Sequence, residues 1–66
     1  MPVITLDGPK MTKDQKAQLV KEFALKASEI LNIPAQGIVT IIRENDLDNI
    51  GSGTQLLSEL LSVKSN

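Results

Sequence analysis

Few residues of this 66-residue chain carry groups suited to chemistry, and their spacing narrows the choice. With neither cysteine nor histidine, disulfides and zinc sites of the Cys/His kind are impossible. Glu44, Asp46 and Asp48 lie close together, but the glycine and bidentate glutamate of a calcium loop are missing, so they read as a solvated turn and no metal site is expected. Gly51 and Gly53 are too few, and follow the wrong element, for a phosphate cradle; they read as a tight turn, and no nucleotide or other cofactor is implied. Two cations stand apart. Lys10, in a loop, reads on its own as a solvated charge. Arg43 is the single arginine and reads as a strand-end ion pair with Glu44, Asp46 or Asp48 of another subunit. Pro2 follows Met1, a common opening that by itself says little about catalysis. Inside a chain its nitrogen is a non-basic amide that merely suits the start of an edge strand. As a free terminus, once Met1 is removed, it is a secondary amine that can take a proton when neutral.

The elements that must position these residues follow from pattern. Val3 to Leu6 is β-branched and apolar on both parities and ends at Asp7-Gly8-Pro9, which predicts a short strand buried on both faces. Thr12 and Gln15 form a Thr-x-x-Gln capping box with Asp14 in the first turn, so a helix starts there. Val20, Phe23, Ala24, Ala27, Ile30 and Leu31 recur at helical spacing as its apolar face. Asn32 and Pro34 end it, giving a helix from about Thr12 to Asn32. Ile38 to Glu44 is the strongest strand signal, apolar on both parities until Arg43 and Glu44, and it too reads as a strand buried on both faces. Strand, helix, strand with short links is a βαβ unit, so the fold class is α/β with two parallel strands and a right-handed crossover. Residues 45–53 read as a polar loop, and Leu56, Leu57, Leu60 and Leu61 as a short helix packed on a neighbour.

Length bounds the rest. The chain makes room for one domain, residues 1–66. A domain of this size buries only ~60% of its unfolded surface, and this one has a single Phe and no Trp or Tyr to enlarge its core. One helix can cover only one face of a two-stranded sheet, so the other face must be covered by another subunit and a homo-oligomer is expected. The net charge of -1 is scattered, with no basic stripe for nucleic acid and no polybasic membrane patch. No apolar run approaches the ~20 residues of a membrane span, and no signal-peptide pattern opens the chain, so the expected location is cytoplasmic.

Met1-Pro2 opening directly into a strand, Thr12-x-x-Gln15-Lys16 opening the helix, the Pro34 break, an apolar second strand and Gly51-x-Gly53 together resemble the 4-oxalocrotonate tautomerase family over nearly the whole chain. The resemblance implies βαβ subunits that pair into a four-stranded sheet per dimer, usually as a hexamer of three dimers. It also implies that Pro2, freed by loss of Met1, is the base of a cofactor-independent enol–keto tautomerase acting on a small 2-hydroxy-dienoate or 2-oxo acid. The amine would remove a proton alpha to a carbonyl, leaving a dienolate, and return it at another carbon. An apolar pocket would favour the neutral amine, and Val3, Ile4, Val39 and Ile50 are its expected lining. Familiar members stabilise the dienolate with arginines, some from neighbouring subunits. Here one such arginine falls at Met11, with Lys10 adjacent, another at Val39, and the family's active-site phenylalanine at Ile50. Lys10 is thus the expected substitute cation, lacking the fork that grips a dicarboxylate. Arg43 shares strand parity with Val39 but lies ~13 Å further along, and is a second candidate for a substrate carboxylate. Two alternatives accompany this reading: a non-catalytic oligomeric scaffold or binding module, which the missing arginines and phenylalanine would permit, and a hydratase- or dehalogenase-like member with a cationic Pro2 acting as acid.

Overall fold

A computed structural model describes residues 1–64 of the chain. Strand β1, Val3–Gly8, pairs in parallel with β2, Val39–Glu44, in a register running from Val3 opposite Val39 to Gly8 opposite Glu44. Helix α1, Lys13–Leu31, connects them, as the βαβ reading requires.

Local chemistry fixes both ends of α1. The Thr12 side chain accepts from the Gln15 backbone N–H at 3.1 Å, and the Gln15 side chain accepts from the Thr12 N–H at 2.9 Å, closing the capping box. At the other end Asn32 takes the left-handed conformation, φ 57 and ψ 48, which asparagine tolerates better than most residues. The Ser28 hydroxyl donates to the Ile33 carbonyl and so closes the last turn, and Pro34 leads into a 3₁₀ turn, Ala35–Gly37.

The helix uses only part of the stripe expected. Leu19, Phe23, Ala24 and Ala27 are half-buried, whereas Val20, Ile30 and Leu31 are exposed, Ile30 at 73%. The helix carries more apolar surface than a two-stranded sheet can cover, and the stripe aligned with β2 takes the cover available. The sheet shows the same excess. In β1 and β2 the residues Ile4, Leu6, Thr40 and Ile42 are half-buried, while Val3, Val39 and Ile41 on the other parity are 51%, 38% and 41% exposed. The expectation of two fully buried strands is thus corrected for the single chain. Its second face lies open.

After β2 the chain is more ordered than a loop. A 3₁₀ turn, Leu47–Asn49, leads to a two-residue antiparallel pairing of β3, Gly51–Ser52, with β4, Gln55–Leu56. Gly53 makes this hairpin possible by taking φ 64. Helix α2, Leu57–Lys64, follows, so Leu56 belongs to the hairpin and the expected helix begins one residue later. The α2 contacts are chiefly with the Leu47–Asn49 turn and β4, and Ile50 stitches them by accepting from the Leu57 N–H at 2.7 Å. No helix among the described residues is long and apolar enough to cross a membrane.

Candidate functional site

Pro2 sits immediately before β1, half-buried, and its carbonyl accepts from the Val39 N–H at 3.0 Å. That bond extends the β1–β2 ladder by one residue and fixes the backbone on which the Pro2 nitrogen lies. Met1 beyond it is 90% exposed. Val3 and Val39 are cross-strand partners on the open face next to Pro2, while Ile4 lies on the opposite parity, towards α1. Ile50 is half-buried in the segment that leads into the hairpin. Of the expected lining, the single chain places Val3 next to Pro2 along the strand, Val39 against it through the ladder, and Ile4 on the half-buried parity that Pro2 shares.

Lys10 and Arg43 are elsewhere. Arg43 pairs in register with Asp7, and Lys10 follows the end of β1. Five steps of strand separate Val3 from Gly8, roughly 16 Å at ~3.3 Å per residue, so both cations lie at the far end of the sheet from the Pro2 of their own chain. Lys10 can approach a Pro2 nitrogen only from another copy. Arg43 is exposed and, among the described residues, makes no ion pair within the chain.

That far end has a structure the sequence did not reveal. Glu44, read as part of a solvated turn, ends β2, and its Oε2 accepts from the Met11 backbone N–H at 2.9 Å and lies 3.0 Å from Lys16 Nζ. The Met11 N–H bond foremost, then Lys16 and more weakly Lys10, hold its carboxyl below the ordinary carboxylate range. The Asn45 N–H donates to the Gly8 carbonyl at 2.8 Å and its side chain to Asp7 at 3.4 Å, so the β1–α1 connection is tied to the end of β2 from both sides. A spacing of 33 residues between Met11 and Glu44 leaves no local pattern to find. The one available signal was a carboxylate closing an apolar strand.

Two open grooves flank this corner. One, of ≈ 450 Å³, runs between Pro9–Met11 and the Gln15, Gln18, Leu19 and Glu22 side of α1. The other, of ≈ 300 Å³, is lined by Pro9, Lys10, Asn45, Asp46 and Leu47. Among the described residues Lys10 is the one cation lining either groove, and it lines both.

Comparison with known proteins agrees with the topology. No curated protein matches the sequence. Among solved structures, an apo unfused 4-OT superposes with a TM-score of 0.80 at 25% identity, over 89% of this chain and 98% of that one. DmpI from Archaeoglobus fulgidus gives 0.78 at 30% identity, over 86% and 98%. DmpI from Helicobacter pylori gives 0.77 at 29%, over 88% and 98%. The family model described as tautomerase enzyme matches residues 2–60, a span that begins at Pro2 and takes in the sheet, both grooves and the hairpin. With its βαβ topology and 4-oxalocrotonate tautomerase homologues as structural neighbours, the chain belongs to the 4-oxalocrotonate tautomerase family of the tautomerase superfamily.

Proposed function

We propose that this protein is a cofactor-independent enol–keto tautomerase of small 2-hydroxy-dienoates or 2-oxo acids, with Pro2 as its general base after removal of Met1. The observation that carries the reading is Pro2 itself, held at the head of β1 by the Val39 N–H and preceded by the exposed Met1. Losing Met1 leaves a secondary amine on a fixed backbone. In its neutral form the amine takes a proton from the substrate, giving a prolinium and a dienolate; the prolinium returns the proton to another carbon, so the amine is regenerated. The open strand face beside Pro2 supplies Val3 and Val39 as apolar wall, and a second copy closes it together with Ile50. The same copy brings Lys10, which holds the carboxylate of the substrate and so stabilises the negative charge that develops beside it on the dienolate. The working unit is therefore a homo-oligomer, on the family pattern a hexamer of three dimers. Arg43 is assigned to a substrate carboxylate only if Arg43→Ala raises KM.

Intact mass and turnover of 2-hydroxymuconate and phenylenolpyruvate test this together. The processed protein should lack Met1 and turn over at least one of the two, and Pro2→Ala should lower kcat by about 10²–10⁴-fold. A rate rising with pH through the amine pKa marks a base. A falling rate marks the acid of a hydratase- or dehalogenase-like member. A processed but inert protein would leave the scaffold reading, which the absence of the family arginines at Met11 and Val39 and of its phenylalanine at Ile50 permits.

A further inference from the structure

The Glu44 carboxylate does something the proposed chemistry does not require of it. Of the side-chain hydrogen bonds among the described residues, only Met11 N–H to Glu44 and Asn45 to Asp7 join distant parts of the chain, and both tie the end of β2 to the segment around the end of β1. Met11 follows Lys10 directly, so the bond fixes the peptide that carries Lys10. Lys16, one turn into α1, takes the charge of Glu44 at 3.0 Å. Lys10, whose charge adds weakly to the lowering of the Glu44 pKa, is exposed and, among the described residues, makes no ion pair. The carboxylate thus orders the loop while Lys16 keeps it from capturing the loop's own cation. Lys10 is left at the shared wall of two grooves, with Pro9, Met11 and Leu19 as apolar neighbours.

We infer that Glu44 and Lys16 are positioning residues that hold Lys10 free as the anion-binding group of the Pro9–Met11 corner, which takes the carboxylate of a small acid with an apolar body. The inference rests on the proposed function for the identity of that acid as substrate, but the binding corner is defined by this chain's own residues. A group of this kind discriminates by charge: an oxo acid gains the ammonium, and the corresponding neutral ketone gains only the apolar wall.

The test is binding of 2-oxohexanoate, with 2-hexanone as the uncharged control, to the assembled protein, followed by amide chemical shifts and titration calorimetry. The wild type should bind the oxo acid with shifts centred on Lys10 and Met11 and bind the ketone at least tenfold more weakly. Lys10→Met should remove that preference. Glu44→Ala should weaken the oxo acid severalfold, and in the Lys10→Met background it should cost nothing further, because it acts through Lys10. Lys16→Met lines neither groove, yet it should weaken the oxo acid too, since Glu44 then turns to Lys10. A merely structural role for the pair would weaken acid and ketone alike, or leave Glu44→Ala costly without Lys10, and either result overturns the inference. Glu44→Gln keeps an acceptor for the Met11 N–H and guards against misfolding; it should retain the loop and bind at least as well as Glu44→Ala. Failure of the wild type to bind the oxo acid would overturn the inference while leaving the Pro2→Ala result standing, and an inert Pro2 with intact charge-selective binding would do the reverse.

Discussion

The smallest scale at which this protein can be questioned is a single carboxylate. Glu44 is held below the ordinary carboxylate range first by the Met11 N–H and then by Lys16, and both partners are lost on unfolding. A depressed folded pKa contributes stability that is present above the unfolded value, ~4.3, and is lost as pH falls through the folded value. Stability should therefore decline on acidification below about pH 4.3, and Glu44→Gln should flatten that decline while lowering stability near pH 7. Urea melts of both proteins between pH 7 and pH 3 provide the check, and parallel curves would show that the contacts do not persist in solution. The two ends of the sheet differ in how far they could be read from residue types. Pro2 could be singled out as a candidate only through the layout around it, because a proline nitrogen is basic only at a chain end. The role of Glu44 could not, because its partner is a backbone N–H, which no side-chain pattern announces.

Among the elements, those whose determinants are local were legible. The Thr12–Gln15 box, the Asn32 stop and the two apolar strands each declare themselves within a few residues, and α1, β1 and β2 form close to where expected, although β1 continues through Asp7 and Gly8, read as a turn, because both pair with the end of β2. The hairpin at Gly51–Leu56 escaped notice because strands of two residues have no periodicity to detect, and its turn depends on a single positive φ at Gly53. The stripe of α1 that meets the sheet was assigned only in part, Phe23, Ala24 and Ala27 but not Val20, Ile30 and Leu31, because the helix is apolar on more than one side and only packing decides which side is covered. The cap can be tested alone. Thr12→Ala removes the acceptor for the Gln15 N–H and should cost about 1 kcal/mol of stability, and adding Gln15→Ala should cost less than the first change did. Denaturant melts at a fixed protein concentration measure both. A loss below about 0.3 kcal/mol would mean that packing, not capping, sets the helix start.

For the whole molecule the open face decides what is stable. The chain measures 46 × 24 × 15 Å with a radius of gyration of 15.8 Å, against about 11 Å for a compact domain of this length. None of the residues whose burial is described falls in the fully buried class, and Val3, Val39 and Ile41 stand uncovered beside Leu25, Ile30 and Leu31 of the helix. Fully burying such a side chain is worth ~1.5–3 kcal/mol, so covering even the three strand residues contributes several kcal/mol to a fold that has little core of its own. That energy becomes available only on association, so folding and assembly should be coupled and the melting temperature should rise with protein concentration. Ile41→Asp sets the issue sharply. It lies on the open face, 41% exposed, so in an isolated chain a carboxylate there would be solvated and nearly neutral, within about 0.5 kcal/mol. In an assembly that seals the face it would be an unpaired buried charge costing several kcal/mol, so the variant should sediment as a monomer and be largely unfolded at micromolar concentration. If Pro2 works only where a second copy closes the apolar wall and brings Lys10, tautomerisation should vanish with assembly although neither residue has been touched. A variant that stays monomeric, folded and active would refute the shared site, because one chain keeps Pro2 and Lys10 at opposite ends of its own sheet.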